Sequence, residues 1–227
     1  MKSLGEIVLH IPAREGSKRV PRKNIRNMAG NPMIFYAIKA SLNSGVTNNI
    51  YVNTDSQQLI DYVRNAFNEV NIYKRKKSLA DDMTTSDEFN MDIINALNPD
   101  TLIMINPVCP LIESDDIVNM VDAYKTSDCD TLISCSTTQM QTFCEGAPIN
   151  ICLDEQLVPS QKNAVVQILN WAVTIWDAKA FKNRYDRLGY SVLGENRLLY
   201  PIDYLKSFKV SEEKNFNLCE SLILSKQ

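Results

Sequence analysis

I-V-L-H-I-P-A-R-E-G-S-K-R-V-P-R-K-N-I-R, Ile7 to Arg26, joins a short apolar run to a loop crowded with positive charge. The run Ile7 to Pro12 has the length of a buried strand and ends on a proline, so it reads as the first strand of a sheet. The loop then carries six of the chain's 24 lysines and arginines within thirteen residues, Arg14 to Arg26, although the whole chain has a net charge of −3. A net-acidic chain has no general attraction for nucleic acid or an anionic membrane, so any basic function must be local to this loop. Gly16 and Ser17 can offer backbone N–H groups to an anion; Arg14 adds a guanidinium fork, and Lys18 and Lys23 add point charges. The same residues also read as a solvated charged loop, but position favours phosphate, because open α/β sheets bind ligands beyond the carboxyl ends of their strands. The stretch matches neither the G-x-x-x-x-G-K-[ST] nor the G-x-G-x-x-G nucleotide fingerprint.

Outward from this segment, apolar runs alternate with amphipathic ones. Strands are predicted at Asn49 to Asn53, Val70 to Tyr73, Thr101 to Ile105, Asp130 to Cys135, Trp171 to Trp176 and Phe208 to Val210. Helices are predicted from Pro32 to about Leu42, from a Ser56 cap to about Ala66, from about Thr85 to Leu97, from a Ser114 cap to about Lys125, from Asp177 to about Asn183, and from Glu213 onward. The alternation predicts an α/β fold, a mostly parallel sheet flanked by helices, within a single domain of residues 1–227. Between about 137 and 170 neither period holds, and Pro148 and Pro159 interrupt it, so this stretch is expected to be an insertion or dimerisation arm.

Hydrophobic residues at 44% and charged residues at 22% are an ordinary globular mixture, which excludes disordered and fibrous classes. No run is long enough to span a bilayer and the first apolar stretch is too short for a signal peptide, so a soluble cytoplasmic protein with no membrane partner is expected. Six cysteines without a C-x-x-C pair, and one histidine, His10, cannot build a cysteine/histidine metal cluster; reduced, mostly buried thiols are expected. His10 sits inside the first strand, where a histidine is more often packed than catalytic.

I-P-A-R-E-G-S-K-R-V-P-R-K-N-I (Ile11 to Ile25) resembles the acylneuraminate cytidylyltransferase family, enzymes that make CMP-sialic acid and related CMP-activated nonulosonic acids. Three weaker segments follow in family order: Tyr51 to Asp61, Arg75 to Ser86 (R-K-K-S-L-A-D-D-M-T-T-S) and Ile105 to Ile117. The resemblance implies a Rossmann-like nucleotidyltransferase, usually a homodimer, in which a sugar hydroxyl attacks the α-phosphorus of CTP with magnesium assisting. By position it implies that Arg14, Ser17, Lys18 and Lys23 hold the triphosphate, beside the Gly16 N–H; among these cations Arg14 and Lys23 are expected to be catalytic. Ala13, Asn24, Arg75 and Ser86 would then face the cytidine, and Asn106 and Asn170 the sugar. Fixed cations suit this chemistry, since charge on the phosphoryl oxygens is what must be stabilised.

Three departures accompany the resemblance. Asn106 stands where the family has a glutamine, and Trp171 follows Asn170 where the family has a glycine. The family's D-I-D-T, whose aspartates ligate magnesium, is matched by K-V-S-E-E, Lys209 to Glu213, which leaves the metal ligands unassigned although Glu212 or Glu213 could substitute. The alternatives are a catalytically impaired nucleotide-binding or scaffold protein of the same fold, or a transferase for another nucleotide or acceptor.

Overall fold

A computed structural model describes residues 1–226. Seven strands form one sheet: β1 (Ile7–Pro12), β2 (Ile50–Thr54), β3 (Asn71–Lys74), β4 (Thr101–Ile105), β5 (Thr131–Thr138), β6 (Val166–Asp177) and β7 (Arg197–Pro201). Their spatial order is β7-β5-β6-β4-β1-β2-β3, and only β6 runs antiparallel to its neighbours. Central strands of such a sheet are covered on both faces and therefore read as unbroken apolar runs. β4 is the clearest case, with all five of its residues buried.

Helices α1 (Ile34–Ser44), α2 (Gln57–Ala66) and α4 (Ser114–Thr126) pack on one face of the sheet, where Ile38, Val63 and Met120 meet Leu9, Ile11 and Ile103. Helices α3 (Ser86–Leu97) and α5 (Ala178–Leu188) cover the other face through Ile93, Ile94 and Phe181. Trp176 anchors this second layer: it is fully buried, meets Phe181 edge-on at 5.7 Å, and its Nε1–H donates to the Val192 carbonyl at 2.8 Å. Truncating a side chain so placed typically costs ~3–5 kcal/mol. A separate cluster joins α6 (Glu213–Leu224) to the basic loop through Val20, Met28, Phe216 and Cys219.

Local chemistry sets most boundaries. Thr85 and Glu88 form a reciprocal capping box that starts α3, and Asp177 accepts from the Ala180 N–H at 2.8 Å to start α5. Some expectations shift. Pro32 belongs to a two-residue ribbon before α1, and the cap of α4 is Glu113 paired with Asp116, with Ser114 the first helical residue. α5 continues to Leu188, beyond the expected stop near Asn183, until Gly189 takes a left-handed φ of 78°. Phe208 to Val210 is not a strand: Val210 N–H donates to the Val108 carbonyl, and the last strand is instead β7, an edge strand that tolerates Pro201 at its end.

Residues 139–165 connect β5 to β6. They contain a short ribbon, Phe143–Cys144 against Ala147–Pro148, and one 3-10 turn, Ser160–Lys162. β6 begins at Val166, earlier than the expected Trp171, and its pairing to β5 breaks register between Leu169 and Thr174. Within that bulge Trp171 holds φ of 59°, a left-handed backbone that bulky residues rarely adopt.

Candidate nucleotide site

The parallel strands β1, β2 and β4 end on one side of the sheet, and the loops that leave them surround an open cavity of about 590 Å³. That is a normal size for a small-molecule site. Arg14, Gly16, Ser17, Lys18, Lys23 and Asn24 reach it from the loop after β1; Arg75 and Ser86 come from the segment after β3, and Asn106 from the end of β4. These expected site residues, up to 92 positions apart from Arg14 to Asn106, are thus brought to one place.

The basic loop is held at both flanks. Asp55 accepts from the Glu15 N–H at 2.9 Å, so this carboxylate ties the loop to the end of β2. On the other side the Arg26 guanidinium grips both oxygens of Glu213 at 2.8 and 2.5 Å and lies over the Phe216 ring at 4.2 Å, while Glu220 accepts from the Ala29 N–H. Val20, in the middle of the charged run, is buried beneath α6. Gly16 has no left-handed backbone, and a Cβ there would meet only Arg14 Nη1 at 3.9 Å; its contribution is open access to the N–H groups.

Lys23 donates from Nζ to the Val210 carbonyl at 3.0 Å. Burial, with Lys209 and Arg19 adding repulsion, brings its ammonium down to about 8. Arg75 is buried: its Nε donates to Asn53 Oδ1 at 2.8 Å, its Nη2 to the Asn53 carbonyl at 3.2 Å, and its guanidinium stacks over Phe89 at 4.6 Å. Burial lowers its pKa to about 10, still charged at neutral pH. Arg14 and Lys18 both grip the carboxylate of Asp82, the Arg14 contact at 2.6 Å, so this acid answers two of the loop's cations.

Two expected site residues stand behind the cavity wall. Ala13 is buried, and its N–H continues the sheet ladder by donating to the Asn53 carbonyl at 2.9 Å. Asn170 is buried with Oδ1 accepting from Ser134 Oγ at 2.6 Å and from the Ala172 N–H at 3.1 Å. His10 is fully buried, and burial with Arg75 nearby lowers its imidazole to about 3, which keeps it neutral within the core. Arg19, Asp82, Phe89 and Met104 line the cavity without having been singled out. Arg19 had a signal in the charged run, whereas Phe89 reads as any apolar position on α3.

A cytidylyltransferase family model matches residues 8–203. The chain belongs to the cytidylyltransferase family. It is 27% identical over 98% of its length, and 97% of the relative's, to post-translational flagellin modification protein B of Campylobacter coli. It is 34% identical to a pseudaminic acid cytidylyltransferase of Campylobacter jejuni, over 46% of this chain and 47% of that protein. In fold it is similar to a solved CMP:2-keto-3-deoxy-manno-octonic acid synthetase complexed with CTP, with a TM-score of 0.74 over 98% of this chain and 100% of that one at 14% identity. The Rossmann-like nucleotidyltransferase fold expected from the sequence is therefore the fold observed.

The cavity does not present the donors that magnesium prefers. Asp82 is its sole lining carboxylate among the described residues and is already paired twice. Glu213 is committed to Arg26, and Glu212 to Lys214 at 2.9 Å. No cluster of three or more His, Cys, Asp or Glu side chains able to hold a metal occurs among the described residues. A hard cation needs several anionic or carbonyl oxygens, so these side chains do not fit a protein-held magnesium.

Proposed function

We propose that this cytidylyltransferase transfers CMP from CTP to an acidic sugar of the nonulosonic or sialic-acid type. The acceptor hydroxyl oxygen forms a bond to the α-phosphorus, the bond from that phosphorus to the β-phosphate bridge breaks, pyrophosphate leaves, and the hydroxyl proton passes to solvent. The observation that carries the reading is the convergence of Arg14, Ser17, Lys18 and Lys23 with the buried Arg75 around one cavity at the strand ends. Arg14 and Lys23 would stabilise charge on the transferring and leaving phosphates, while Arg75, Asn24 and Ser86 would meet the cytidine. Pseudaminic acid is the first acceptor to try, because a relative's name carries it.

Release of pyrophosphate from CTP with pseudaminic or N-acetylneuraminic acid is the test, and Arg14→Ala is expected to cut it by about a hundredfold or more. No release across a panel of acidic sugars, with CTP still bound, would favour the second reading, a nucleotide-binding chain without turnover. Lys209 and Ser211 at the positions of the implied metal ligands are what favour that alternative.

Residues 139–165 are proposed as the contact arm of a homodimer. Met140, Phe143, Ile149, Leu153, Leu157 and Val158 are all exposed there, an apolar density that a lone surface rarely carries. No helix among the described residues is long and apolar enough to cross a membrane.

A further inference from the structure

Among the described residues the cavity is lined by six cationic side chains, Arg14, Lys18, Arg19, Lys23, Arg75 and Lys209, against a single carboxylate that two of them already hold. Five come from the first 75 residues. Lys209 enters from the opposite end of the chain, on the segment that leads into α6.

That segment is pinned. Val210 is fully buried, its N–H donates to the Val108 carbonyl at 2.7 Å, and its carbonyl receives the Lys23 ammonium at 3.0 Å. The Lys209 backbone is therefore one residue from a triply fixed point, while its side chain stays exposed to the cavity. Lys23 lines the same cavity, and after burial the Lys209 charge is the largest cause of its lowered pKa. Two amines close enough to repel each other, with no free acid between them, form a site whose natural complement is a multiply charged anion. The neighbouring side chains offer nothing to a metal: Ser211 Oγ is hydrogen-bonded to Asn215 Oδ1 at 3.2 Å, and Glu212 and Glu213 are paired elsewhere.

We propose that Lys209 is a phosphate-binding residue that, with Lys23, supplies on the protein the positive charge otherwise brought by a protein-held metal, so that CTP binds without a divalent cation. The proposal rests on the reading of the cavity as a CTP site. A lysine in this place is a point charge on a flexible stem that can follow the phosphates, and a pinned backbone keeps the loss of freedom on binding small.

The test is calorimetric titration of CTP into the full chain, once with EDTA and once with magnesium. Wild type is expected to bind with dissociation constants within about threefold of each other, and Lys209→Ala to weaken binding in EDTA about tenfold or more, as for loss of a charge-assisted contact. Lys209→Arg should keep the wild-type behaviour. Lys209→Asp should abolish binding in EDTA and regain it with magnesium. Circular dichroism should show all three variants folded, since the side chain is exposed. Wild-type binding that requires magnesium, or Lys209→Ala binding in EDTA as tightly as wild type, would overturn the proposal while leaving the CTP site intact. Absence of CTP binding in both buffers would instead remove the nucleotide reading itself.

Discussion

Raising the pH from 7 to 9 should weaken CTP binding about tenfold through a single side chain, Lys23, whose ammonium is brought to about 8 by burial and by its cationic neighbours. With that value, about nine-tenths of the free protein carries the charge at pH 7 and about one-tenth at pH 9. When only the charged form receives the phosphates, the apparent dissociation constant scales with the inverse of that fraction, which gives the tenfold change. The other strongly displaced groups stand outside the window: burial lowers Arg75 only to about 10, so most of it stays charged up to pH 9, burial lifts Cys109 to about 12 and Cys219 to about 11, and His10 lies at about 3. Stability should move the opposite way. The folded pKa lies below the ordinary 10.5, so between about pH 8 and 10.5 the unfolded chain holds more protons; the cost of burying the ammonium is fully present below pH 8 and is relieved as pH rises. Calorimetric CTP titrations at constant ionic strength from pH 7 to 9, run beside denaturant unfolding of the free protein, measure both trends. Lys23→Arg carries a charge that does not titrate in this range and should flatten the binding profile. A flat wild-type profile, or an equal slope in Lys23→Arg, would refute the reasoning.

Three further outcomes are expected. Arg75→Ala should lose about 1–3 kcal/mol of stability in denaturant unfolding, because it strips Asn53 Oδ1, fully buried, of its partner; unchanged stability would show that Asn53 finds another donor. Trp171→Gly should release a left-handed backbone that costs a non-glycine residue about 1–2 kcal/mol and open the cavity wall, raising the KM for the acceptor sugar while leaving that for CTP unchanged; a shift confined to CTP would place the indole against the nucleotide instead. Leu153→Asp combined with Leu157→Asp should convert a dimer into a monomer in light scattering, and a wild-type monomer would remove the arm's assigned role.

The amino-acid sequence by itself determined what depends on near neighbours. The apolar run into Pro12, the charged loop behind it, the Thr85–Glu88 capping box and the all-buried β4 are signals contained within a few residues, and they were enough for the sheet, most helices and the basic side chains that line the cavity. Where several local patterns competed, the reading slipped: Arg197–Pro201 carries no clean alternation because an edge strand is only half covered, so the last strand was expected at Phe208 to Val210, whose backbone actually serves Val108 and Lys23. Pairings across the chain left no trace in the order of residues. The grip of α6 on the basic loop through Arg26 and Glu213, the seat of Arg75 on Asn53, the hold of Asp82 on Arg14 and Lys18, and the arrival of Lys209 beside Lys23 join positions from 22 to 187 residues apart. Charge and hydrogen-bonding capacity belong to each side chain and can be read along the chain, whereas which charge meets which is decided by the strand order of the sheet, and here it brings a cation into the place where the resemblance implied a metal ligand.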